Sequence, residues 1–159
     1  MSDYIKRLRE KIGHEKILIP TNACIIINDK NEILLQERAE SKTWGCPGGL
    51  MDLEETVLEA LCREVLEETG LSIQEPELFG IYSGTRYEAT YPNKDQTQSV
   101  LMVFLTTKFS GQLKIDGESA ELKFFSLNSL PEPLNRHHSE YLSHFQEYVS
   151  GKRKLPVIQ

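Results

Sequence analysis

Apolar positions along the chain follow two rhythms, one helical and one alternating or β-branched, and each predicts elements. Tyr4, Ile5, Leu8 and Ile12 fall at helical spacing, so a short helix is expected over residues 3–11, with Gly13 to stop it. The β-branched run at residues 17–27 predicts a strand, with Pro20 at an edge or bend. The turn cluster Asn28-Asp29-Lys30-Asn31 then predicts a hairpin whose returning strand covers residues 33–37. Residues 39–49 read as a loop. A helical pattern over residues 53–69 ends at Gly70, a residue suited to follow a helix C-terminus. Strands are expected at residues 78–82, 99–107 and 122–127, with turns at residues 90–95 and at Gly111. Ser139 is the expected cap of a last helix whose inner face is Tyr141, Leu142, Phe145 and Val149. Gly151 ends it, and the basic tail Lys152-Arg153-Lys154 suits its negative end. Strands and helices mix without a regular alternation, which predicts an α/β fold with helices packed on the faces of a mixed sheet.

Length and charge narrow the classes. A chain of 159 residues fits a single domain over residues 1–159. Its formal net charge of -6 argues against a general nucleic-acid binder, which needs a basic footprint. An acidic protein can still take a polyanion when cations mediate the contact. No apolar run is long enough to cross a bilayer, and the polar residues 1–10 do not read as a secretory signal. No membrane partner is expected. Cys24, Cys46 and Cys62 are odd in number and lack zinc-site spacing, so they read as reduced thiols of a cytoplasmic protein. Cys46, beside two glycines, is either a reactive thiol or a plain loop residue.

The candidate chemistry sits on the middle helix. Glu64, Glu67 and Glu68 fall within an arc of roughly 100° at 3.6 residues per turn. Val57, Leu61 and Val65 fall in the adjoining arc. Three like charges this close repel, and no lysine is mixed among them. A bound divalent cation resolves the conflict, and oxygen donors favour Mg²⁺ or Mn²⁺. The Gly48 carbonyl is a candidate further ligand. A plain solvated acidic edge is the competing reading. Arg63 points another way on the wheel and is expected to pair with Glu55 or Glu59 near the helix start.

Read as a whole, the segment has a fixed spacing. Gly49, five residues, Glu55, seven residues, Arg63-Glu64-Val65, one residue, Glu67-Glu68, one residue, Gly70-Leu71 resembles the signature of the Nudix hydrolase (MutT/Nudix) family. Trp44-Gly45-Cys46-Pro47 and the strand end Gln36-Glu37-Arg38 are similar to the family's flanking segments. Asp52 and Glu54 depart from the usual Glu and Gly. The similarity runs from about Ala23 to Leu127. Residues 1–15, a helical extension, and the C-terminal helix and tail at residues 137–159 look like additions.

The resemblance implies an α/β/α sandwich around a mixed sheet. It implies that Glu64, Glu67 and Glu68 bind Mg²⁺ (or Mn²⁺), with Gly48 assisting, and that Gly49, Glu55, Arg63 and Gly70 hold the loop and helix in shape. The expected catalytic set is Glu64, Glu67 and Glu118, with Glu64 or Glu118 as general base. Glu118 lies in the loop Asp116-Gly117-Glu118-Ser119-Ala120-Glu121, where Glu121 is the alternative. On the substrate side, Arg38 reaches phosphate or makes a surface ion pair. Trp44 stacks on a ring or forms the core edge. Tyr87 lies roughly where dinucleoside-polyphosphate hydrolases of the family place a tyrosine. The proline of the ADP-ribose subgroup is missing from its usual place, with Pro92 a few residues later, and the extended motif of the NADH-cleaving subgroup is absent. His137 and His138 read as an exposed pair at the start of the last helix. The expected reaction is metal-dependent hydrolysis of the diphosphate linkage in a small-molecule nucleotide-type substrate: a nucleotide sugar, ADP-ribose or a dinucleoside polyphosphate. Two alternatives stand beside it, a MutT-like nucleoside triphosphate pyrophosphohydrolase and a non-catalytic nucleotide sensor. The N-terminal helix either covers the core or pairs two subunits as a homodimer.

Overall fold

The structure is a computed structural model that describes residues 3–115 and 117–159. Asp116, in the loop expected to carry the late acidic residue, lies outside the described residues. The elements run α1 (Asp3–Ile12), β1 (Ile17–Ile26), β2 (Glu32–Arg38), β3 (Trp44–Gly45), α2 (Val57–Thr69), β4 (Leu71–Gln74), β5 (Glu77–Tyr82), a 3₁₀ turn (Thr85–Tyr87), β6 (Glu88–Thr90), β7 (Gln96–Thr106), β8 (Lys108–Gly111), β9 (Ser119–Ser126), α3 (Arg136–Val149) and β10 (Val157–Ile158). Among the described residues no helix is long and apolar enough to cross a membrane.

Alternation along β1 makes the layers. Ala23 and Ile25 pack toward Tyr141, Leu142 and Phe145 of α3, whereas Cys24 and Ile26 pack toward Leu61 and Val65 of α2. The strands therefore lie between α2 and α3, as the expected sandwich requires. All nine of these side chains are at most 2% exposed. Each buried Ile or Leu contributes roughly 2 kcal/mol of transfer free energy. The main sheet is mixed, in the order β1-β7-β5-β10, with β6 on β7. β1 runs parallel to β7 and β5 runs antiparallel to it. A second sheet has the order β3-β2-β9, and β4 pairs with β8.

The hairpin expected between β1 and β2 is reduced to its turn and one antiparallel bridge. β1 pairs with β7 along its whole length, from Ile17 opposite Thr97 to Ile26 opposite Thr106. Its other edge is taken by the glycine loop: the Cys24 N–H donates to the Pro47 carbonyl at 2.9 Å and the Asn22 N–H to the Gly49 carbonyl at 2.8 Å. With both edges filled, β2 keeps one bridge to the residue just past β1, Ile27 opposite Ile33, and pairs along its length with β9. Pro20 is accommodated because it lies on the outermost strand of the main sheet.

Two helix starts differ from expectation. α2 starts at Val57 and not at Leu53, because Glu54 has φ 68° and cannot continue a right-handed helix. Thr56 caps it, and its side chain exchanges hydrogen bonds with Glu59 in a reciprocal capping box. Gly70 closes the helix in the left-handed conformation, φ 74°, as expected. α3 is capped by Asn135, whose side chain accepts the His137 N–H, so Ser139 falls inside the first turn. Val149 is 61% exposed and leaves the inner face to Tyr141, Leu142 and Phe145. The short strands β4 and β10 exist through distant partners and β6 through a local hairpin with β7, and none is expected from the pattern.

Candidate active site

The glycine loop and α2 meet edge to edge. Gly48 has φ 146°, and a side-chain carbon there would lie 2.3 Å from the Asn22 carbonyl oxygen. A carbon on Gly49 would lie 2.4 Å from the carboxyl carbon of Glu64. The two glycines let the loop pass between β1 and α2 and bring the backbone against Glu64.

The three clustered glutamates do not share one environment. Glu67 is exposed, Glu64 is partly buried and Glu68 is 6% exposed. One Glu68 oxygen, Oε2, accepts the Gly48 N–H at 2.7 Å and the Gln36 side-chain N–H at 2.8 Å. Its partner Oε1 faces the Arg38 guanidinium at 3.5 Å. Burial raises the Glu68 carboxyl to about 7, with Arg38 and the two N–H donors opposing the rise. Burial also raises Glu64, against the pull of Arg63.

Arg63 is the organiser of the outer half. It clamps Glu55 through Nε at 2.6 Å and Nη2 at 2.9 Å, and Nη2 also donates to the Leu50 carbonyl at 3.1 Å. The clamp holds the Glu55 carboxyl down at about 2. Glu59 is not its partner, because Glu59 is spent on the capping box. Nor does Arg63 point away from the acidic edge: Nη1 reaches Glu64 at 2.9 Å and Glu67 at 3.3 Å. A long side chain spans that gap where the helical wheel counts only Cα directions.

The donor set suits a hard divalent cation: three carboxylates and a glycine carbonyl, all oxygen, with two of the acids costly to ionise where they sit. Among the described residues no three acidic, His or Cys side chains converge into a ligand shell. Positive charge reaches these carboxylates from Arg63 and Arg38.

Other expected site residues fall elsewhere. The Glu118 carbonyl accepts the Ala39 N–H at 2.9 Å, which ties its loop to the end of β2, and its side chain is exposed. Glu121 pairs across the strand with Glu37. Arg38 lies at the site, with Nη2 3.4 Å from the Gly48 carbonyl. Trp44 is 8% exposed and meets Phe125 edge-on at 4.9 Å, so its ring belongs to the core. Tyr87 is 1% exposed and donates its hydroxyl to Glu140 at 2.6 Å, which turns it inward and away from solvent. His137 and His138 are not an exposed pair. The His138 ring lies against Gly45, and Nδ1 accepts the Cys46 N–H at 2.9 Å. Burial and the charge of Arg38 push that imidazole down to about 3. Cys46 is fully buried, and burial pushes its thiol up to about 12, which makes it a packing residue.

Sequence reading missed Gln36, Asn22 and Ser119. Each is a polar side chain less than 9% exposed in the walls of this site. Gln36 left a signal, since it breaks the apolar run Ile33-Leu34-Leu35 on a buried strand.

A family model described as NUDIX domain matches residues 18–145. The chain belongs to the Nudix family. This Nudix chain is 35% identical over 130 residues to an ADP-ribose pyrophosphatase of Methanocaldococcus jannaschii, covering 79% of the chain and 72% of that protein. It is 30% identical over 141 residues to a human 8-oxo-dGDP phosphatase, covering 84% of the chain but 40% of that protein. A MutT NUDIX hydrolase from Burkholderia pseudomallei superposes with a TM-score of 0.69 at 29% identity, over 80% of this chain and 97% of that one. The Nudix chain is accordingly a pyrophosphohydrolase, an enzyme acting on acid anhydrides. Enzymes of this family use divalent metal ions and act on small nucleotide-type substrates.

Proposed function

We propose that this Nudix enzyme hydrolyses the diphosphate linkage of a nucleoside diphosphate derivative, with ADP-ribose as the first candidate and Mg²⁺ or Mn²⁺ as cofactor. The observation that carries the reading is the acidic edge of α2, packed against the Gly48-Gly49 backbone and bounded by Arg38 and Arg63. The names of two relatives, an ADP-ribose pyrophosphatase and an 8-oxo-dGDP phosphatase, support the substrate class.

Glu64, Glu67 and Glu68, with the Gly48 carbonyl, would hold the cation. When bound, a divalent cation neutralises charge on the diphosphate and lowers the pKa of water. Glu64, partly buried and beside the glycine backbone, takes the proton from the attacking water, with Glu118 as the other candidate base. Arg38 sits where a guanidinium can meet phosphate oxygens. The buried Asn22 amide nitrogen has no acceptor among the described residues and is a further donor beside Gly49. Free thiols at Cys24, Cys46 and Cys62 suit a reducing compartment such as the cytoplasm.

A second reading is supported by a putative 8-oxo-dGTP diphosphatase of Bacillus subtilis, 33% identical over 108 residues, namely that an oxidised nucleoside triphosphate is the substrate. The test is a turnover screen with Mg²⁺ or Mn²⁺ and product identification. Two phosphorylated halves from ADP-ribose or a nucleotide sugar support the first reading. Pyrophosphate plus a monophosphate from a triphosphate moves the assignment to the second. No turnover of any of these by folded, metal-loaded enzyme overturns the substrate class.

A further inference from the structure

Gln36 and Ser119 are buried polar side chains without a part in the chemistry above. Gln36 is 1% exposed and follows Leu34 on the side of β2 that faces α2. A buried amide has to satisfy both its carbonyl and its NH₂. Gln36 Nε2 donates to Glu68 Oε2 at 2.8 Å, and Gln36 Oε1 accepts the Ser119 hydroxyl at 2.9 Å. This order has one direction. A flipped amide would set its carbonyl oxygen against the carboxylate, acceptor against acceptor.

Ser119 reaches Gln36 because β9 carries a bulge. The register steps from Glu37 opposite Glu121 to Arg38 opposite Ser119, which leaves Ala120 without a partner. Strict alternation from Phe124 and Leu122 would turn Ala120 toward α2. The extra residue puts Ser119 there instead: Ser119 is 7% exposed and Ala120 is exposed. A bulge re-aims a side chain at the cost of local pairing. One residue earlier the Glu118 carbonyl accepts the Ala39 N–H just past β2, so two successive residues, Glu118 and Ser119, are fastened to β2 or its end.

We propose that Gln36 and Ser119 are positioning residues that orient Glu68 for the divalent cation and couple that orientation to the loop at residues 117–119. The inference rests on Glu68 as a cation ligand. Two N–H donors occupy Glu68 Oε2, which leaves Oε1, facing Arg38, as the oxygen to bind the ion. Partners that orient a ligand in this way set metal affinity as well as turnover.

The test is Mn²⁺ binding to the full chain without substrate, by calorimetry or by electron paramagnetic resonance, alongside kcat and KM. Gln36→Met weakens Mn²⁺ binding about tenfold or more. Its kcat/KM falls with it and recovers as Mn²⁺ is raised. Ser119→Ala weakens binding less, and Ser119→Thr restores it. The double variant Gln36→Met/Ser119→Ala binds no worse than Gln36→Met, because Ser119 acts through Gln36. Wild-type affinity in Gln36→Met, or a double variant showing the product of both losses, overturns the relay. If Gln36→Met does not fold, Ser119→Ala decides: Mn²⁺ affinity equal to wild type overturns the proposal. A wild-type chain that binds no Mn²⁺ overturns the cation reading and the relay with it. Binding by wild type with unaltered variants overturns the relay alone.

Discussion

The two ends of α2 treat their carboxylates in opposite ways. Just before the start, Glu55 lies in a two-point clamp from Arg63 and is held at about 2. In the C-terminal half, Glu68 is enclosed by neutral N–H donors with a more distant arginine and is raised to about 7. Close pairing commits a carboxylate to structure, whereas burial with incomplete compensation leaves one with free energy to release on meeting a cation. The stability consequences carry opposite signs. Stability from Glu55 is present above its ordinary value of 4.5 and is lost as pH falls through about 2. Stability from Glu68 is fully present below 4.5 and is lost as pH rises through about 7.

The largest expected effect breaks the comparison at its catalytic side. Glu64→Gln should lower turnover about a thousandfold, within the range for loss of a general base, while the melting temperature holds. Full turnover by a folded Glu64→Gln enzyme removes Glu64 from the reaction. The two glycines give the next contrast. Gly48→Ala drives a carbon into the Asn22 and Ala23 backbone and should destabilise the fold by roughly 3 kcal/mol, read by urea unfolding. The nearest atoms to a carbon at Gly49 are the movable end of Glu64, so Gly49→Ala should spare stability and cut turnover. Equal destabilisation by both would show that Glu64 cannot yield.

Glu68→Gln sharpens the comparison through pH. Without metal it should stabilise the protein above pH 7, by at most on the order of 3 kcal/mol, and have little effect below pH 4.5. Mg²⁺ binding should weaken in the same variant. A melting temperature that rises equally at both pH values points to relief unrelated to ionisation. The smallest effect belongs to the clamp. Arg63→Met should cost about 1 kcal/mol, because Arg63 and Glu55 are partly exposed and screened by solvent. That loss should shrink in high salt, and a salt-independent loss would assign the role of Arg63 to its contact with the Leu50 carbonyl.

What was legible in the sequence was local. The spacing of Glu64, Glu67 and Glu68 on one helix, the Gly70 stop and the Arg63–Glu55 pair all depend on neighbours a few residues away, so periodicity and the family signature carry them. The same locality explains why most element types were predictable and why the α2 start was displaced: Thr56 and Glu59 spell a capping box that outweighs the helical pattern before it. The sequence by itself determined the acidic helix, its glycine loop and the family. Only the tertiary structure decided how each carboxylate is buried and paired. Pairing of β1 with β7 and with the glycine loop cut the expected hairpin to a single bridge. The β9 bulge carried Ser119 to Gln36 across 83 positions of chain. The core took Trp44, Tyr87 and His138 from the surface roles that composition allowed them. Burial and strand pairing are set by residues far apart along the chain, and the pKa of a carboxyl follows the solvent and donors that this packing leaves around it.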